Sequence, residues 1–138
     1  MAINWKAFVK QASQNAKMGC INQGSAAGKL KVGTLGYDGA GAGTLLCTFT
    51  LNDPCATSTN ETSTFSGMPK TTQGLVGAGT GAVPGSAIFT DSDDVVCGDG
   101  MTVGVHVDGV EDPDVVLDAA WIVQNQNITL TALSAVHA

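Results

Sequence analysis

Arginine is absent from this 138-residue chain, and charged residues of any kind make up only 13% of it. That is about half the roughly 25% of ordinary soluble domains. Without the guanidinium fork, the side chain best suited to bidentate contacts with bases and phosphates is missing, so nucleic-acid binding is not expected. Aromatic residues are only 5%. The stacking candidates are Trp5, Tyr37 and Trp121, and Trp121 lies in an apolar run that reads as core, which leaves little for a sugar platform. No run approaches the ~18 apolar residues of a membrane span, and the opening Met1-Ala-Ile-Asn-Trp-Lys6 has no apolar h-region. A surface so poor in charge must be small and polar, or partly covered by other protein.

Cysteine is sparse but even in number: Cys20, Cys47, Cys55 and Cys97. An even count admits a disulfide reading, but nothing at the start of the chain points to an oxidising compartment. The spacings of 27, 8 and 42 residues fit no zinc pattern. Free, mostly buried thiols are the expectation. The sequons at Asn60 and Asn127 carry no meaning without secretion.

The charge that is present is unevenly placed. The first 37 residues hold Lys6, Lys10, Lys17, Lys29 and Lys31 and no acid, while the remainder holds all 12 acids and only Lys70. A +5 segment therefore precedes a −11 body. Such a map speaks of partners and solubility, not of fold.

Residues 3–17 predict a helix. Trp5, Phe8, Val9, Ala12 and Ala16 share one face, with Lys6, Lys10, Gln14 and Lys17 around the other. Asn4 is its expected N-cap and Gly19 its expected stop. The helix could pack on its own domain. A docking arm that buries Trp5, Phe8 and Val9 on a partner is preferred, because the stripe is a large apolar payload beside the flexible stretch Gln23–Gly28. The candidate interface residues are Trp5, Lys6, Phe8, Val9, Lys10 and Lys17.

After Gly28 the period changes to two. Strands are expected around Leu30–Val32, Leu45–Leu51, Ser86–Thr90, Asp94–Gly98, Met101–Val107 and Ile128–Val136, with Ile128, Leu130 and Ala132 on one face, while Val115–Leu117 is a short apolar run. Trp121–Val123 is a possible strand, and residues 62–76 are ambiguous between strand and loop. Asn52-Asp-Pro54, Asp91–Asp94, Gly98-Asp-Gly100 and Asp108-Gly109 read as breaks or turns. The fold class is mainly β: an antiparallel β-sandwich or jelly-roll-like barrel with one N-terminal helix. Residues 1–27 form the arm and linker, and residues 28–138 the β domain.

No constellation carries chemistry. The acids Asp91, Asp93, Asp94 and Asp99 lack an EF-hand register, and Asp108, Glu111, Asp112 and Asp114 form a second acidic rim. His106 and Asp108 share a strand face but face no nucleophile motif. Gly77-Ala-Gly-Thr-Gly-Ala82 resembles a phosphate loop in composition only. No catalytic residue, metal or cofactor is expected.

The order of weak motifs resembles a family of small tailed-bacteriophage structural proteins. The motifs are Gly28-Lys-Leu-Lys-Val32, Gly43–Leu51, Pro84-Gly-Ser-Ala-Ile-Phe89, Asp91-Ser-Asp93, Gly98-Asp-Gly100, Asp114-Val-Val-Leu-Asp118, Trp121-Ile122, Asn125-Gln126 and Ile128–Leu133. The likeness spans about residues 28–136. The chain departs from it at Thr90, where the family often has Arg, and at His106–Gly109 and Glu111. The resemblance implies a β-sandwich virion component, a capsid decoration (cement) protein made in the host cytoplasm and bound outside the head shell. Its partners would be the phage major capsid protein and copies of itself in a homotrimer, with no nucleic acid and no membrane. A tail or baseplate component, or a carbohydrate- or receptor-binding module displayed on the virion, are the alternatives.

Overall fold

The structure is a computed structural model and describes residues 6–59 and 62–136. Among the described residues one helix, α1 (Ala7–Ile21), precedes nine strands: β1 (Lys29–Gly33), β2 (Leu45–Thr50), β3 (Ala56–Thr59), β4 (Thr62–Phe65), β5 (Lys70–Gln73), β6 (Ser86–Thr90), β7 (Val96–Val105), β8 (Val115–Leu117) and β9 (Asn127–Val136). A 3₁₀ turn covers Val76–Ala78. The strand order is β2-β1-β6-β7-β8-β9-β4-β3, with β5 also on β9. The chain is thus mainly β with one N-terminal helix, and its mixed sheet curls into a half-barrel.

Period-two alternation lines the concave side. Leu30 stands opposite Phe49 on β2 and Phe89 on β6; Val32 stands opposite Cys47 and Ala87. All six are buried. Val115, Leu117, Ile128 and Leu130 complete the layer from β8 and β9. Each large side chain so buried stabilises the fold by about 1.5–3 kcal/mol. Phe65 on β4 stacks on Phe89 at 5.3 Å, tying the far end of the sheet to β6.

Three details depart from the alternation. Asp94–Gly98 and Met101–Val107 were expected as two strands, but Val96–Val105 is one, because Gly98-Asp-Gly100 absorbs a register shift against β6 instead of turning. Gly100 has φ of 73°, a conformation glycine takes without strain. On β9, a register shift opposite Val116/Leu117 exposes Ala132 and turns Leu133 towards the core. Among the described strand pairs β7–β8 is parallel and the others are antiparallel. Asp114 holds its entry: its carboxylate accepts the Thr102 N–H at 3.0 Å, and its own N–H donates to Thr102 Oγ1 at 3.0 Å.

The helix lies later in the chain than expected and uses a different face. It passes through Gly19 to Ile21 and is capped by Asn22, whose Oδ1 accepts the Cys55 N–H. Asn4 and Trp5 lie outside the described residues. Gln14, Met18 and Ile21, spaced by four and three, are buried. Phe8, Ala12 and Ala16 lie on the opposite side and are exposed. Polar contacts fix the buried face: Gln14 Nε2 donates to Ser63 Oγ at 3.2 Å, and Gln11 Nε2 to the Ser58 carbonyl at 2.7 Å.

The expectation of four free thiols is corrected. Cys20 and Cys97 form a disulfide, with Cα atoms 5.9 Å apart, that joins the last turn of α1 to β7. Sequence spacing says nothing about distance across a sheet, so the pairing was invisible. Cys47 and Cys55 are free and buried.

Candidate functional site

Amphipathic packing gives α1 two working faces. The inner one is anchored as described. On the outer one Phe8 is 76% exposed. Lys6, Phe8, Val9 and Lys10 thus lie at the helix start but not on one face: Lys6 and Phe8 are exposed, Val9 and Lys10 half-buried. Lys17 lies about 10 Å farther along the axis. It is exposed and borders a cleft between α1 and β7. Trp5, the remaining expected interface residue, lies outside the described residues.

The basic segment is not all arm. Lys29 and Lys31 belong to β1, and both reach Asp94 Oδ1, at 3.0 and 2.9 Å. The Lys31 and then the Lys29 hydrogen bonds hold the Asp94 carboxyl below its ordinary range. Part of the charge split is thus neutralised within the β body, and Lys6, Lys10 and Lys17 form the helix's share.

The acidic clusters serve turns. Asp91 is buried, and its Oδ1 accepts the N–H groups of Asp93 and Val95 at 2.9 and 3.0 Å. Asp94 takes a left-handed conformation, φ 66°, to close that turn. His106 is exposed between two carboxylates, with Nδ1 2.6 Å from Asp112 Oδ1 and Nε2 3.0 Å from Asp108 Oδ1. The Asp112 and then the Asp108 hydrogen bonds raise its pKa above the ordinary value, since only the imidazolium donates from both nitrogens. Among the described residues no group of three or more His, Cys, Asp or Glu side chains is arranged to hold a metal ion. No helix of the described residues is long and apolar enough to cross a membrane.

The cleft beside Lys17 consists of two adjoining hollows of about 170 and 260 Å³ that share Lys17, Phe89 and Gly98. Met18, Phe89 and Met101 supply apolar walls; Asp99, Asp114 and Ser134 border the larger hollow.

No family model, curated protein or solved structure matches this chain. What it offers a partner is its own exposed surfaces.

Sequence reasoning missed one of them. Trp121 was expected in the core but is 59% exposed, and only its neighbour Ile122 is buried. It lies near Gly81, and Val83, Val76 and Val123 are exposed in the same part of the chain. The Ala82–Ile122 bridge explains the inversion: pairing Ile122 inward turns Trp121 outward. The free thiols are chemically quiet, because burial pushes Cys47 up to about 12 and Cys55 up to about 11. Tyr37 is half-buried and packs close to Gly33, where a Cβ would collide with it.

Proposed function

We propose that this chain is a structural protein of a tailed-phage virion, a decoration protein that binds the outside of the head shell and stabilises it. The order of motifs over residues 28–136 supports this reading. The observation that carries it is the outward face of α1. The helix is locked to a β body by a disulfide and a buried Gln14–Ser63 bond, yet it presents Phe8 to solvent, two residues after the exposed Lys6. A preordered apolar anchor flanked by cations suits docking on an acidic protein lattice. The anchor supplies affinity and the lysines supply encounter rate. The role is non-catalytic, the shell's major capsid protein is the partner, and a homotrimer at a three-fold position is the natural form. A test is co-sedimentation of purified protein with shells that lack it. Wild type should pellet saturably with shells, and Phe8→Asp should stay in the supernatant. Equal pelleting of both would overturn the assignment of the docking face. A tail or baseplate position is the alternative within the same class.

A second reading, a displayed carbohydrate- or receptor-binding module, has the exposed Trp121 in its favour. Saturable binding on a glycan array that is lost in Trp121→Ala would support it.

A further inference from the structure

Three loops meet at one end of the sheet: residues 34–44 after β1, 74–85 before β6 and 118–126 between β8 and β9. Backbone bonds tie them down there. The Gly85 N–H donates to the Gly33 carbonyl, the Leu75 N–H to the Leu46 carbonyl and the Gln124 N–H to the Gly79 carbonyl. Their outer side carries an apolar row. Ala82 pairs antiparallel with Ile122, which sets Val83 across from Trp121. Pro84 and Ser86 are buried and Val83 is exposed, so the chain alternates here and Gly81 and Gly85 lie on the side of Val83. The two glycines seat their neighbours. A Cβ at Gly81 would stand 3.3 Å from the Trp121 ring, and one at Gly85 would stand 2.8 Å from the Leu35 backbone. Trp121, Val83 and Leu35 are 59%, 56% and 84% exposed along this row. Val123 borders Gly81, and Val76 stands exposed in the 3₁₀ turn of the same loop.

We propose that this end is where copies of this chain meet, each covering the other's Trp121–Val83–Leu35 row. Two observations single out a second copy. The first is area. One Trp, one Leu and three Val side chains so exposed present on the order of 500 Å² of apolar surface, the size at which a patch marks an interaction site. With a polar rim around it, such a patch approaches the ~800 Å² that each partner of a stable complex buries, and a second copy offers its match. The second is charge. Copies of net charge −6 repel one another least where charge is sparse. Within the three loops the charged side chains are Asp38 and Asp118, and each is engaged in its own chain. Asp38 Oδ1 accepts the Ala40 and Ala42 N–H groups, and Asp118 Oδ1 accepts the Thr129 N–H. The acidic loop 106–114 leaves β7 at the same end but doubles back, with Pro113 over Gly104 and Asp114 on Thr102. A two-fold or a three-fold axis serves equally, since residues beside either axis meet their own copies. The inference stands apart from the head-shell reading, since it concerns copies in solution and a surface without α1.

The full chain carrying Trp5→Phe makes Trp121 the sole tryptophan. Sedimentation over a dilution series should show self-association, with Trp121 emission moving to the blue as the associated form fills. Trp121→Ser and Leu35→Asp, each in the wild-type background, should weaken association about tenfold or more, as loss of an interface anchor does. Both side chains face solvent in the single chain, so each variant should fold as wild type does. Circular dichroism checks this; if one variant fails to fold, the other decides. A chain monomeric at every concentration would overturn the proposal. So would unchanged association in either folded variant. A monomer that binds glycans or head shells and loses them in Trp121→Ser would give this end to that partner and would also overturn it.

Discussion

Replacing Cys20 with alanine should reveal how α1 is held. The disulfide joins residues 77 apart. In the chain-entropy treatment, closing a loop of that length stabilises the folded state by about 4.5 kcal/mol at 25 °C, and measured values are typically ~2–4 kcal/mol. For this chain length the unfolding entropy is about 0.29 kcal/mol per kelvin, so the loss corresponds to a fall in Tm of about 7–15 °C. Calorimetry of the oxidised wild type, Cys20→Ala, Cys97→Ala and the double variant measures it. Either single substitution removes the whole cross-link, so the three variants should melt together. Thiol titration of the unfolded, unreduced wild type should find two reactive thiols, those of Cys47 and Cys55. Four thiols would refute the pairing. A Tm change below about 3 °C would refute the claim that the disulfide limits the unfolded chain.

Three further outcomes are expected. The raised pKa of His106 means its bonds to Asp112 and Asp108 stabilise the fold fully below the unfolded value of about 6.5, with that contribution lost as pH rises through the higher folded value; Tm against pH should fall there in wild type and be flatter in His106→Gln. Phe49→Ala should cost about 3–5 kcal/mol in urea unfolding, since Phe49 is fully buried opposite Leu30. Phe8→Asp should change stability by no more than about 0.5 kcal/mol yet weaken shell binding about 30-fold or more, separating docking from folding.

Much of the sheet was legible because its burial follows the pleat. Leu30 and Val32, Cys47 and Phe49, and Ile128 and Leu130 face inward as their alternation predicts. Legibility failed where a single residue shifts the register. Gly98-Asp-Gly100 looks like a turn and is an irregularity within one strand; the shift on β9 exchanges Ala132 for Leu133. The helix misled differently. Its apolar stripe, Phe8–Ala12–Ala16, points to solvent, while the packed face is begun by Gln14 and secured by serines on β3 and β4. A buried glutamine reads as polar until its partner is known. Of the expected interface residues, Lys6 and Phe8 are exposed at the helix start, Val9 and Lys10 are half-buried there, and Lys17 borders the cleft. The charge split was legible too, but Asp94's pairing with Lys29 and Lys31 is a long-range event that no local pattern encodes.

The proposed place on the head shell can be tested by gold labelling of purified phage particles. An antibody against the β body should decorate heads on their outer surface, with the protein present by mass spectrometry in the same particles. Label confined to tails would move the protein to the tail or baseplate, and its absence from purified particles would contradict a virion role altogether.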